Sequence, residues 1–442
     1  MTVDTATAAG TTSRDDAGVV LPVGIIGFGW MGRAHAQAYA RIRHHYPHIS
    51  PVPRLMVIAD EVTDRAAQAA VQFDVPSTVA DWRQVVDDPT IGAVSVTAPN
   101  FLHREIGCAV ASAGKHLWIE KPVGLSAEDA RAVATAAAHA GVATAVGFNY
   151  RNVPAVAAAR ELIAAGGIGE VTHARFRLFS DYAAHPDGAL SWRFQRDRGG
   201  NGVLGDLASH GADLVWFLLG EIDSLVADTA IFVAERPKPT GATAGHQLAS
   251  GGERGPVENE DYVSAQMRLA SGARCVLEAS RVSVGAQNSY GFEIHGTAGV
   301  VRWDYRRMGE LEVGQGSDYQ DLAVSTRFVG PGSGDFAAFQ PGAANPMSYD
   351  DLKVIEAARF CAAIADAGSG ASGSMGADAG SGASGSMGAD AGSGASGSTA
   401  ADAGSAPSAG ATIADAVRAA EVLDAMTTSV REGTWVSPAS MR

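Results

Sequence analysis

Between residues 22 and 148 short apolar runs alternate with segments of helical periodicity, and no other feature of this chain restricts its fold as strongly. "VGIIG" (23–27), "RLMVIAD" (54–60), "GAVSVTAP" (92–99), "KHLWIE" (115–120) and "VATAVGF" (142–148) are nearly continuous in apolar residues, the pattern of strands buried on both faces. Between them "VTDRAAQAAVQF", "DWRQVVDD", "HREIGCAVASAG" and "SAEDARAVATAAAHAG" repeat their apolar residues at helical spacing. This alternation predicts an α/β unit over 22–148, a doubly wound parallel Rossmann sheet with helices on both faces.

The pattern changes after residue 150. A helix at "AVAAARELIAAGGIG" ends on glycines, and long strand-like runs follow: "EVTHARFRLFSD", "EDYVSAQMRLAS", "ARCVLEASRVSVG", "YGFEIHGT" and "GVVRWDYR". Short glycine turns join several of them, so residues 149–364 read as an α+β domain with a large, mostly antiparallel open sheet. At 365–410 the motif "ADAGSGASGSMG" repeats and then decays. Such a composition buries nothing and cannot offset its chain entropy, so it reads as a disordered insertion. It lies between two helical patterns, "YDDLKVIEAARFCAAI" and "TIADAVRAAEVLDAM"; residues 411–442 are expected to complete the fold with a helix and a strand. Residues 1–21 read as a disordered tail with neither the basic start nor the apolar core of a signal peptide.

The chain has 442 residues, enough for two cores, and a formal charge of −15 without a Lys/Arg cluster. That balance excludes a nucleic-acid or anionic-membrane surface, and no apolar stretch is long enough to span a bilayer. Cys108, Cys275 and Cys361 are odd in number and far apart, which fits reduced thiols in a cytoplasmic protein, and no metal-ligand cluster stands out.

The first apolar run leads into "GFGWMG", in which Gly27, Gly29 and Gly32 form G-x-G-x-x-G between a strand and a helix. That context turns a weak motif into a phosphate cradle: Gly27 for the tight turn, Gly29 for approach of a pyrophosphate, Gly32 for close helix packing. Phe28, Trp30 and Met31 fill the intervening positions and join the expected cofactor contacts. Asp60 ends the next strand, 28 residues beyond Gly32, where an acid would hydrogen-bond the adenine ribose. Its alternative role is to cap the helix at "VTDRA". With Glu61 beside it, Asp60 disfavours a 2′-phosphate and points to NAD rather than NADP, although Arg65 keeps NADP open.

"GFGWMGRAHA", "VTAPNFLH", "KHLWIEKP" and "GGNGVLGDLASHGADLVWFLLG" follow one another in the order and spacing of the Gfo/Idh/MocA oxidoreductase family, which the chain resembles over 22–364 and 411–436. That family includes glucose–fructose oxidoreductase, inositol dehydrogenases and sugar dehydrogenases. The resemblance implies that Lys121 is the catalytic lysine; otherwise it is a surface lysine beside Glu120. It implies that His210 is the general base and Asp206 its neighbour in the substrate site. Asp206, His210 and Asp213 share one helical face, which taken alone is either solvated or lines a cleft. Thr97, Pro99, Asn100 and His103 are expected near the nicotinamide ribose, against a plain strand-to-helix turn capped by Asn100, and Glu120 is expected among the cofactor contacts. Asn149, Arg151 and Trp192 are candidates for substrate, Trp192 being equally readable as a core residue. The implied reaction is NAD-dependent oxidation of a secondary hydroxyl of a sugar or cyclitol (an inositol, pyranoside or anhydrosugar) by a homodimer or homotetramer. An NAD-dependent glycoside hydrolase and a non-catalytic dinucleotide sensor are the alternatives.

Overall fold

A computed structural model describes residues 19–239, 248, 249, 252–339, 342, 345–372 and 410–441. The first domain runs β1 (Val20–Ile26), α1 (Trp30–His45), β2 (Val52–Ala59), α2 (Thr63–Phe73), β3 (Ser77–Val79), α3 (Arg83–Asp87), β4 (Ala93–Val96), α4 (His103–Ser112), β5 (His116–Ile119), α5 (Ala127–Ala140) and β6 (Thr144–Val146). Every pairing is parallel, in the order β3-β2-β1-β4-β5-β6. The order reverses between β1 and β4, and the crevice outside the carboxyl ends of the strands at that point is where this topology takes ligands. β4 is buried at every position, as its nearly continuous apolar run requires; its one polar side chain, Ser95, is 2.9 Å from the Tyr39 hydroxyl. Local signals set the ends of α5: Ser126 accepts the Asp129 N–H at the start, and Gly141 stops it in the left-handed region.

The second domain contains α6 (Pro154–Ala164), β7 (Val171–Phe179), α7 (Arg196–Gly199), α8 (Ser209–Leu219), β8 (Ile222–Ala230), the short pair β9 (Glu235–Pro237) and β10 (Arg254–Pro256), and β11 (Tyr262–Leu269) to β12 (Arg274–Ser280), β13 (Ser289–Gly296), β14 (Gly299–Asp304), β15 (Glu310–Gln315) and β16 (Val324–Phe328). Eight of these strands form one sheet, β16-β15-β14-β13-β7-β12-β11-β8, antiparallel except for β7 against β12. Burial alternates along β11 and β12, so one face packs on α6 and α8 and the other is exposed. The strands missed from sequence are short or polar: β3 has three residues, β8 carries Asp and Ser, and β16 is exposed throughout.

Three expectations about the C-terminal third are corrected. After α9 (Phe336–Phe339), helix α10 (Tyr349–Ser372) runs past residue 365, because the Ala-rich start of the repeat extends a helix already anchored in a core. Residues 373–409 of the repeat, like 1–18 of the tail, lie outside the described residues. Helix α10 also belongs to the first domain: Val354, Ala357, Phe360 and Cys361 pack against Ile25, Tyr39 and Trp118. Helix α11 (Ile413–Glu432), opened by a Thr412/Asp415 capping box, then joins the two cores. Its first half packs on Ile119 and Val146, its second on the α8 side of the large sheet. The expected closing strand is a single bridge, Leu225 to Val436.

Candidate active site

The glycine turn has the properties of a cradle. Gly27 adopts φ +85° and its N–H bonds to Ala59 O at 2.8 Å. A Cβ on Gly32 would lie closer than 3.0 Å to the Gly27 carbonyl oxygen and 3.1 Å from Thr97 Oγ1. Gly29 differs from both: its φ of −76° suits any residue, and a Cβ there would meet no described atom within 4 Å. Neither backbone nor packing requires glycine at 29, whereas a pyrophosphate seated on the N-terminus of α1 does. The donor set therefore fits a dinucleotide. Thr97 donates to Gly27 O and ties β4 to the turn.

Asp60 is 5% exposed and its carboxylate is fully engaged. Oδ2 accepts the Phe28 N–H at 2.6 Å and Arg65 Nε at 3.1 Å; Oδ1 accepts the Val62 N–H at 2.8 Å and Arg65 Nη2 at 2.7 Å. Asp60 is thus at once the cap before α2 and the acid beside the crevice. Phe28 contributes its backbone here, while its ring is buried against Phe73. Trp30 is exposed and stacks on Tyr349, whose hydroxyl lies 3.5 Å from Met31 Sδ.

Residues expected near the nicotinamide divide. Pro99 and Asn100 open the turn after β4, and Asn100 Nδ2 reaches Gly199 O of the second domain at 3.3 Å. His103 is buried beneath this loop with both ring nitrogens 2.7 Å from carbonyl oxygens, of Ala98 and Pro122, which makes it a strut instead of a cofactor contact. Burial lowers its pKa against the pull of those carbonyls. Glu120 likewise turns into the core, where its carboxylate meets His35 Nε2 at 3.0 Å and Lys353 Nζ at 2.5 Å. Burial alone would raise the Glu120 pKa; the Lys353 ammonium more than offsets it and holds the group well below the usual carboxylate range.

Lys121 points the other way, across the crevice. Its Nζ donates to Asp206 O at 2.8 Å and to Asp206 Oδ1 at 3.2 Å, joining the two domains. Asp206 lies in a wide π turn (Leu204–Ala208) that leads into α8, an irregularity frequent at functional sites. Tyr182 donates to its other oxygen. Burial opposes ionisation of Asp206, but Lys121, Arg193 and the Tyr182 hydroxyl depress its pKa far below 3.8. His210 is 6% exposed, tilted against Tyr150 at 4.6 Å between ring centroids, and its Nδ1 has no hydrogen-bond partner among the described residues. Burial, then Lys121, push its pKa well below 6.5, so it is neutral in neutral solution.

Asn149 is 1% exposed, and neither atom of its amide has a hydrogen-bond partner among the described residues, so both stand open to one. Arg151 is removed from the substrate set: it is buried, doubly bonded to Asp213 and 3.4 Å from Asp415. The same pairing corrects the expected acidic face, since Asp213 turns to Arg151 and not to the crevice. Trp192 is half-buried, edge-on to Phe101, with Arg193 stacked over it. Sequence reasoning missed Tyr182, Tyr290 and Tyr305. Tyr290 and Tyr305 ring Tyr150 at 5.4 and 5.2 Å and come from β13 and the turn just after β14, where no motif marks them. Among the described residues His35, Glu120 and Glu356 bring three ligating atoms within 4.8 Å of one another. The Lys353 ammonium, 2.5 Å from Glu120 and 3.2 Å from Glu356, already supplies the cation there.

Cradle, crevice and cross-domain lysine agree with what the chain matches. Residues 21–148 fit the oxidoreductase family with an NAD-binding Rossmann fold, and 156–302 fit the GFO/IDH/MocA C-terminal domain. The chain belongs to the GFO/IDH/MocA family and is an NAD-binding oxidoreductase acting on CH–OH groups. It is 39% identical to a levoglucosan dehydrogenase from Pseudarthrobacter phenanthrenivorans over 352 residues, 79% of this chain and 90% of that one. An inositol 2-dehydrogenase from Rhizobium meliloti is 28% identical over 300 residues, 67% of this chain and 79% of its own length. A structure of levoglucosan dehydrogenase complexed with NADH and levoglucosan superposes with a TM-score of 0.79 at 33% identity, over 95% of this chain and 99% of that one. Among the described residues no helix is long and apolar enough to cross a membrane.

Proposed function

We propose that this chain oxidises a secondary ring hydroxyl of a pyranoside or anhydrosugar, with NAD as hydride acceptor, in the crevice between its domains. One observation carries the reading: Lys121 of the cofactor domain meets Asp206 of the second domain beside buried, neutral His210. The similarity to a levoglucosan dehydrogenase supports the substrate class.

In this reading the N-terminus of α1 and the turn at Gly27, Gly29 and Gly32 hold the pyrophosphate. Asp60 holds the adenine ribose once Arg65 moves aside, and Thr97, Pro99 and Asn100 border the nicotinamide ribose. A nicotinamide held there would supply the acceptor for a hydride from the alcohol carbon. His210 removes the hydroxyl proton, a role its depressed pKa allows by keeping the ring unprotonated. Lys121 donates to the same oxygen and stabilises the developing alkoxide charge. Asp206, ionised and hydrogen-bonded to Tyr182, aims that ammonium. The Asn149 amide supplies a donor and an acceptor to a sugar hydroxyl or to the cofactor amide, and the rings of Tyr150, Tyr290 and Tyr305 offer apolar faces to a pyranose.

The test is a panel of levoglucosan, free hexoses and inositols with NAD and with NADP, read by absorbance of reduced nicotinamide. Turnover is expected with a cyclic polyol and NAD. Retained cofactor with glycoside cleavage and no net reduced product would instead make the chain a hydrolase, and no turnover with any polyol would leave the reading without support.

A further inference from the structure

One buried group of charges lies behind the crevice and takes no part in the chemistry above. It consists of Glu120 after β5, His35 on α1, and Lys353 and Glu356 on α10, exposed by 5%, 0%, 0% and 3% respectively. Lys353 Nζ is 2.5 Å from Glu120 Oε1, and 3.2 and 3.4 Å from the two Glu356 oxygens. His35 Nε2 shares the same Glu120 oxygen at 3.0 Å, and Trp118 Nε1 donates to Glu356 at 2.5 Å. Burial of an ammonium is costly even when it is paired, and apolar side chains of the same volume would stabilise a core at least as well. The location of the cluster supplies a reason for keeping it.

Glu120 immediately precedes Lys121. The two neighbouring side chains point opposite ways at the end of β5, Glu120 into the core toward Lys353 and Lys121 across the crevice to Asp206, so a change in the direction of Glu120 is carried along the chain to Lys121. The fold makes room for that arrangement: a Cβ on Gly147 would overlap the Glu120 carboxylate. The Glu120 N–H is fixed to Val96 O at 2.9 Å, and the Pro122 carbonyl is fixed by His103 at 2.7 Å. What remains free is the direction of the Glu120 side chain, and Lys353, with His35 beside it, holds it.

We propose that Lys353 is a positioning residue: from α10 it locks Glu120 into the core, so that Lys121 presents its ammonium to Asp206 and to the reacting oxygen. The proposal rests on Lys121 being catalytic. It gives α10, formed far along the sequence from the Rossmann strands, a direct part in the active site. Burial works against the charge on Lys353, yet its two carboxylate neighbours keep its pKa above the ordinary lysine value, so the lock stays charged.

The experiment is a cycle of K353M, K121M and the double variant, each assayed for kcat, KM, NADH affinity and thermal midpoint. K353M keeps the length of the side chain and removes its charge. Misaiming a catalytic group by about 1 Å costs on the order of 100-fold, so K353M is expected to lower kcat about 10–100-fold while NADH affinity stays within about threefold. Because Lys353 acts through Lys121, K353M in the K121M background should cost less than about twofold more. Losses that multiply in the double variant, or a K353M whose kcat is unchanged at a temperature where it is folded, overturn the proposal. If K121M itself keeps full turnover, the catalytic reading of Lys121 fails and the proposal falls with it. Should K353M not fold, E120Q, which leaves Lys353 paired with Glu356, carries the test: kcat reduced at unchanged NADH affinity supports the lock, and unchanged kcat overturns it.

Discussion

Replacing Gly29 and Gly32 separately with alanine distinguishes what the fold needs from what a ligand needs. At Gly29 the backbone is extended (φ −76°) and a Cβ meets no described atom within 4 Å. A glycine replaced where alanine fits usually gains about 0.4–1 kcal/mol through the unfolded chain, so the melting temperature of G29A should hold or rise. A methyl there projects into the open space in which the pyrophosphate is proposed to sit at the start of α1. Losing one charge-assisted hydrogen bond to a phosphate costs about 1.5–3 kcal/mol. At tenfold per 1.4 kcal/mol, NADH should bind roughly 10–150-fold more weakly. At Gly32 the methyl would press on the Gly27 carbonyl, which cannot retreat because Gly27 is held by its bond to Ala59 and by its positive φ. Overpacking of this kind costs about 1–3 kcal/mol, so G32A should lose both stability and affinity. The assay pairs thermal melts without cofactor with NADH fluorescence titrations. Wild-type affinity in G29A, or an unchanged melt in G32A, would refute the cradle.

Further expectations follow from the same geometry. K121M should cut turnover about 100- to 10,000-fold and leave NADH binding nearly intact, whereas D206N should lose less and show part of its loss in KM. Since a protonated His210 cannot act as base, kcat/KM should fall as pH drops through its depressed pKa, at an acid limb below 6.5 that H210A lacks; a limb at or above 6.5 would contradict this. D60A should relax the preference for NAD over NADP and also destabilise the fold by about 1–3 kcal/mol, because the buried Phe28 N–H loses its acceptor. The exposed face of the large sheet is expected to join a second copy, so sedimentation should find a dimer or tetramer at micromolar concentration, and a monomer would refute it.

Legibility of this fold followed burial. Strands covered on both faces, such as "GAVSVTAP", and the capped helix after Ser126 could be read because local pattern and tertiary environment agree. β16 could not, since an edge strand exposed throughout has no apolar alternation. Spacing that resembles a family singles out Lys121, Asp206 and His210, which the structure brings together across the crevice. Arg151 was misread because its partners, Asp213 and Asp415, come from helices far apart in sequence. Glu120 was misread for the same reason: its direction is decided by Lys353, 233 positions away. The tyrosines near His210 come from β13 and from turns and loops beside the sheet, where no local pattern marks a pocket.

The central claim is that two domains meet to form one dehydrogenase site, with His210 as base. The most direct measurement is reduction of NAD by levoglucosan in wild type and in H210A, alongside NADH titration of both. The account expects steady accumulation of reduced nicotinamide by wild type, a loss of about 100- to 10,000-fold in H210A, and equal NADH affinity in the two. Turnover by H210A close to that of wild type would contradict it.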